Sequence, residues 1–111
     1  DSSDSNYQKL KENLERLKHA KDISGKSYEV VSIDQPSRDT FLNERLPMSY
    51  INFYIANDGI VLPVFDDDKD NDAIEKIQNV FKNKRVVTVP GKPITEGGGC
   101  VHCITQQQPL I

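Results

Sequence analysis

Apolar residues recur at helical spacing in two stretches of the chain and at strand spacing in several others. Tyr7, Leu10, Leu14 and Leu17 fall on one face of a helix predicted from Tyr7 to Asp22, with lysines and glutamates on the other face. Ser5 is the expected N-cap and Ser24-Gly25 the expected stop, after a polar, frayed start over residues 1–6. Residues 28–34 are rich in Val and Ile and read as a strand. Residues 35–49 carry Pro36 and Pro47 with weak periodicity, and read as a surface connection with one short helical turn. A connection this long is also where a cover for an active site is often found.

The second half is more regular. Residues 50–56 and 60–65 read as strands, with Asn57-Asp58-Gly59 as a hairpin turn whose residues tolerate positive φ. A second helix is predicted over 70–81, with Ile74, Ile77 and Phe81 on one face, followed by a strand over 85–89. Pro90-Gly91 breaks that strand, and Gly97-Gly98-Gly99 leads into a last extended segment over 100–105. Strand, strand, helix, strand is an α/β unit, a hairpin plus a crossover.

The 111 residues fit one domain or a piece of a larger one, and 36% hydrophobic with 28% charged residues describe a soluble globular chain. A net charge of −3 with no basic patch argues against nucleic acid, and no apolar run approaches a membrane span. There is no secretory signal, and the first residue is Asp1 rather than Met, so a processed or truncated chain is expected. Cys100 and Cys103 are too close in sequence to staple distant parts, which favours reduced thiols and a cytoplasmic location.

Three constellations bear on chemistry. Read as a calcium loop from Asp66, the acidic run 66–72 places ligands at Asp68 and Asp70, but has Asn71 for the turn glycine and Ile77 for the closing glutamate. The stronger reading has Asp70 or Asp72 capping the second helix. Cys100-Val101-His102-Cys103 contains C-x-x-C. The flanking glycines and β-branched residues point to a strand rather than the helix start of a redox dithiol, the only other zinc ligand would be His19, and haem attachment would need His where Ile104 stands. No cofactor and no metal are therefore expected. In a strand, His102 and Cys103 point to opposite faces, which makes His102 a poor base for Cys103, and Cys100 and Cys103 likewise part company.

The stretch from Gly97 to Pro109, GGGCVHCITQQQP, closely resembles the C-terminal end of agmatine deiminases, in the agmatine deiminase and bacterial peptidylarginine deiminase family. Residues 47–57, PMSYINFYIAN, with Val61, Pro63 and Phe65 after them, are similar to another block of that family, and Asn13-Leu14-Glu15-Arg16-Leu17 to a third. Asp66 stands where the family usually has glycine, and Cys100 where it often has Asn or a small residue. The resemblance implies that residues 1–111 are the C-terminal portion of a single deiminase domain. It would be divided into helix, strand and long loop over 7–49, a ββαβ module over 50–89, and a nucleophile segment over 90–111. The implied fold is a five-bladed α/β propeller, the pentein. The implied reaction is deimination of agmatine to N-carbamoylputrescine and ammonia, with peptidylarginine or free arginine as the alternative substrate. An inactive fragment that completes a larger assembly is the other alternative. Cys103 matches the family nucleophile. Asn52 matches a polar residue near the nucleophile, on the substrate side, and Gly97, Gly98 and Gly99, without side chains, would let the backbone approach a flat substrate closely. The general-acid His and the guanidinium-binding carboxylates are expected in the missing N-terminal part. Whether the whole is a homo-oligomer is left open.

Overall fold

The computed structural model describes residues 2–109, and these divide after Ser32 into two units. In the first unit, helix α1 spans Tyr7–His19. It starts one residue later than Ser5 would cap it. Asn6 occupies the N-cap position without a side-chain bond, and the Asp4 carboxylate accepts the Asn6 N–H at 2.8 Å. It also ends three residues before Asp22. Ala20 turns extended, and Asp22 organises the next turn by accepting the N–H groups of Ser24 (2.8 Å) and Lys26 (2.9 Å) and the Ser24 hydroxyl. Short acidic side chains offer the backbone this alternative to helix. These bonds, the Ser24 hydroxyl's first, hold the Asp22 carboxyl below its usual range. No residue of α1 is buried, and Tyr7, Leu10 and Leu17 are exposed. The Nδ1 of His19 bonds the Glu15 carbonyl at 2.7 Å, on the exposed side of the last turn.

The expected strand over 28–34 does not form, because no strand of the described residues pairs with it. The expected loop over 35–49 instead contains a small hairpin, β1 (Thr40–Phe41) against β2 (Glu44–Arg45). Its two-residue turn has positive φ at both Leu42 (50°) and Asn43 (67°), as a tight hairpin twist demands. A bulky Leu is rare in that conformation, and so the turn left no mark in the sequence.

The second sheet has the order β3-β4-β5, with β3 at Tyr54–Ile55, β4 at Gly59–Val64 and β5 at Arg85–Pro90. β4 is antiparallel to β3 and parallel to β5. Helix α2 (Asp70–Val80) supplies the crossover, and the short helix α3 (Lys92–Thr95) follows β5. The β3–β4 hairpin closes with Ala56 N–H on the Gly59 carbonyl at 2.8 Å, but none of Asn57, Asp58 and Gly59 has positive φ. β3 is much shorter than expected. It covers only Ile60 and Val61 of β4, so Pro63 lies where the antiparallel ladder has already ended. None of the described helices is long and apolar enough to cross a membrane.

β4 is central and carries the core. Ile60 and Leu62 are wholly buried, packed with Ala73 and Ile77 of α2 and with Tyr50, Phe65, Cys100 and Val101. Tyr50 and Phe65 meet edge to face, with ring centroids 5.4 Å apart. A polar hub sits beside them. The Tyr50 hydroxyl donates to Asp70 Oδ1 at 2.7 Å, and the same carboxylate accepts the N–H of Phe65 (3.1 Å) and of Asp67 (3.2 Å). Asp70 therefore does not cap α2. Lys69 holds the N-cap position, and Asp70 turns back to fix the β4–α2 loop, where Asp66 has φ of 58°. Asp67 accepts from the N–H of Ser37 (2.7 Å) and of Lys69 (3.0 Å). Although burial pushes its carboxyl up, these N–H groups hold it well below the usual range. Asp67 and Asp70 of the acidic run are thus committed to backbone N–H groups and the Tyr50 hydroxyl, and Asp72 to Lys76. Among the described residues no three His, Cys, Asp or Glu gather as a metal site.

Burial, then the Asp70 carboxylate, push the Tyr50 phenol well above its ordinary value, so it stays a neutral donor in the folded state. Tyr50→Phe removes that donor while keeping the ring. We expect a loss of about 1.5–3 kcal/mol, the usual worth of a bond to a charged acceptor. Urea unfolding checks it, and a change under about 0.5 kcal/mol, typical of a neutral surface substitution, would remove the hub from the account of the fold.

Candidate active site

Residues 100–105 are not a strand. They form a 3₁₀ turn, Val101–Ile104, with Cys100 extended at its N-cap position. The turn follows α3 and the three glycines. Gly97 N–H bonds the Ile94 carbonyl (3.1 Å) and Gly98 N–H the Thr95 carbonyl (3.0 Å), while Gly98 itself has φ of 92°. A side chain at Gly98 would be strained, since L-residues other than Gly seldom adopt that φ. Gly99 serves a different need. A Cβ there would stand 2.9 Å from Cys103 Cβ and 3.2 Å from its sulfur. Of the three, Gly99 is the one in contact with Cys103.

Val101 and Cys100 are buried in the core and anchor the turn, whereas Cys103 is exposed. The two cysteines do occupy different environments, but not through strand alternation. Side chains three apart eclipse in a 3₁₀ turn, and the two differ in burial: Cys100, extended just before the turn, lies in the core, and Cys103 is exposed. The strand argument against His102 fails for the same reason. His102 is exposed, and the partners of the Cys103 thiol lie elsewhere.

Those partners are set by Asn52. Its Oδ1 accepts the backbone N–H of His102 at 2.8 Å, and its main-chain carbonyl lies 3.2 Å from the same N–H. With Oδ1 so occupied, Nδ2 faces Cys103 Sγ at 3.3 Å and donates to it. The Cys100 backbone N–H first, then the Asn52 amide, hold the Cys103 thiol below its ordinary value. Burial pushes the Cys100 thiol up. Cys103 is thus the exposed thiol with the lowered pKa, and Cys100 the buried thiol with the raised one.

The structure thus brings together Asn52, Gly99 and Cys103. Gly98 lines a neighbouring cleft of about 300 Å³, bounded by the β1–β2 hairpin and by Thr95 and Glu96. A Lys92–Asp39 ion pair ties α3 to the chain entering β1. Glu44, Arg45 and Glu96 line this cleft, and no spacing in the sequence singles them out.

Residues 1–109 match the family model described as Porphyromonas-type peptidyl-arginine deiminase. The chain belongs to this family. Among relatives, a protein of Legionella pneumophila (strain Paris), provisionally named an agmatine deiminase, is 45% identical over 98% of this chain and 32% of its own length. The agmatine deiminase of Pseudomonas aeruginosa (strain UCBPP-PA14) is 39% identical over 98% of this chain and 34% of its own. Among solved structures, the agmatine deiminase of Enterococcus faecalis superimposes with a TM-score of 0.90 at 29% identity, over 98% of this chain and 34% of that one. The mixed α/β architecture is thus that of known deiminases. The chain spans about a third of the length of the curated relatives it matches.

The thiol geometry predicts how this family member reacts with a neutral alkylating agent. In the native chain iodoacetamide should modify Cys103 and spare Cys100 until urea is added. A depressed folded-state pKa means more thiolate at a given pH. The Cys103 rate should therefore rise through a midpoint below that of the unfolded chain. Asn52→Ala should move the midpoint up and slow the reaction at pH 7, by about tenfold for each pKa unit of movement. Equal native rates at the two cysteines, or a midpoint unmoved in Asn52→Ala, would contradict the assignment.

Proposed function

We propose that this chain is the nucleophile-bearing part of an agmatine deiminase and that Cys103 attacks the guanidinium carbon of agmatine. The observation that carries the reading is the exposed Cys103 thiol, held below its ordinary pKa by the Cys100 N–H and the Asn52 amide. The naming of the relatives supports the reaction class. In the complete enzyme the β3-β4-α2-β5 unit forms one module of a five-bladed α/β propeller, and the 3₁₀ turn presents Cys103 to its central channel.

A guanidinium is a poor electrophile because its charge is spread over three nitrogens. The bound cation helps to create its own nucleophile. A unit charge about 4 Å away at an effective dielectric of ~20 is worth about 4 kcal/mol, at most roughly three pKa units on the thiol. The thiolate forms a C–S bond at the guanidinium carbon, a proton is delivered to one nitrogen, and the C–N bond breaks to release ammonia. The thiouronium that remains is attacked by water. The C–O bond forms, the C–S bond breaks, and N-carbamoylputrescine leaves with the thiol restored. Asn52 supports the thiolate at each return, and the bare backbone at Gly99 lets a flat substrate approach. The proton donor and the carboxylates that grip the cation come from the rest of the enzyme, in keeping with the one-third coverage of the relatives. The whole enzyme works in the cytoplasm, without cofactor. A second substrate reading rests on the family description and on the solved Porphyromonas gingivalis structure titled an arginine deiminase, which superimposes with a TM-score of 0.93 at 29% identity.

The isolated 111 residues should give no ureido product from agmatine above a Cys103→Ala control. In the complete enzyme, Cys103→Ser should lose nearly all turnover, because an alcohol of much higher pKa supplies no anion. A haloacetamidine, a cationic electrophile shaped like the guanidinium, should label Cys103, with agmatine protecting it. Turnover by the isolated chain would overturn the incomplete-site reading. Protection by peptidylarginine or free arginine but not by agmatine would move the assignment to the second substrate.

A further inference from the structure

The reaction above uses one of two thiols that stand on a single turn. Cys103 N–H bonds the Cys100 carbonyl at 3.0 Å. A turn closed by that bond keeps its end Cα atoms within about 7 Å, and a disulfide needs about 4.4–6.8 Å. Cys100 and Cys103 occupy the N-cap and N3 positions, whose side chains and backbones meet reciprocally in a capping box. Glycine at position 99 leaves the flank of that sulfur without a side chain. Cys103 is open to solvent, while the Cys100 side chain is wholly buried and takes no part in deimination as drawn.

We propose that Cys100 and Cys103 form an oxidation site, with Cys103 the thiol that a hydroperoxide attacks and Cys100 the thiol that resolves it into an intramolecular disulfide. The Cys103 thiolate attacks one peroxide oxygen. An S–O bond forms, the O–O bond breaks, sulfur is oxidised by two electrons, and the peroxide leaves as hydroxide or alkoxide. Cys100 gives up its proton to that base and attacks the Cys103 sulfur. The S–S bond forms, the S–OH bond breaks, and the sulfenic oxygen departs as hydroxide, to be protonated by solvent. Burial disfavours the Cys100 thiolate while the fold is at rest, so resolution waits until Cys103 has become an electrophile. The disulfide occupies the sulfur that Cys103 would use as a nucleophile, and an external dithiol returns it. Without Cys100, the sulfenic acid proceeds to sulfinic and sulfonic acids, which a dithiol does not reverse. The inference concerns the thiols themselves and stands whether or not the deiminase reading does.

The test treats the reduced 111-residue chain with hydrogen peroxide at neutral pH, blocks residual thiols with N-ethylmaleimide, and reads the peptide bearing both cysteines by mass spectrometry. The expected product has lost two hydrogens, carries no maleimide, is monomeric, and reverts with dithiothreitol. Cys100→Ala should instead gain two or three oxygens at Cys103 and stay modified under dithiothreitol. The wild-type peptide decides alone if that variant does not fold. Oxygen gain at Cys103 in wild type, a disulfide only between chains, or two thiols still open to maleimide would each overturn the proposal.

Discussion

One carboxamide holds the candidate site in register with the sheet. Asn52 lies just ahead of β3, and its Oδ1 accepts the N–H of His102 across fifty residues of sequence. That bond fixes the amide's orientation, which in turn aims Nδ2 at Cys103 Sγ. If the amide rotated, Oδ1, now 3.8 Å from the sulfur, would replace Nδ2 as its nearer neighbour, and the thiolate would lose support. The pKa of the Cys103 thiol and the attitude of the 3₁₀ turn therefore both depend on this side chain.

The packing below makes this clamp stiff. Tyr50, two residues before Asn52, is buried against Phe65 and bonded to Asp70. Phe53, one residue after it, meets Phe81 edge to face at 5.7 Å. Val101 and Cys100 hold the other end in the core. Both sides of the Asn52–Cys103 contact thus rest on buried neighbours, which is how a polar contact on an exposed surface keeps its geometry. The polar residues of the β4–α2 loop serve the same unit. Asp67 and Asp70 absorb backbone N–H groups that would otherwise be left without partners.

The second cysteine adds a constraint of its own. Cys100 fills core volume as a small apolar residue, yet it stands one turn from an activated thiol. A site tuned to keep a thiolate is also tuned to meet oxidants, because both properties follow from the same depressed pKa. Placing a buried thiol at the N-cap position gives that liability a reversible end point.

Much of this was legible in the chain of residues by itself. Apolar periodicity located α1, β4, α2 and β5 to within a few residues, because a helix or strand that buries one face must repeat its apolar residues at its own period. The resemblance around Gly97–Pro109 and residues 47–57 pointed to the deiminase family that the comparisons then matched over residues 1–109. Other features had no local cause to read. The 3₁₀ turn replaced an expected strand although its residues are β-branched, since the core seats Val101 and Cys100 and Asn52 seats His102. The β1–β2 hairpin turns on Leu42 at positive φ, against that residue's own preference. Residues 28–34 have strand composition and make no ladder, because a strand is a relation between two segments and only the fold supplies the second. The sequence by itself determined which segments carry an apolar face and which cysteine sits in the family motif. Only the tertiary structure decided that an amide 51 residues away donates to that sulfur, because a hydrogen bond depends on distance in space and leaves no period in the chain.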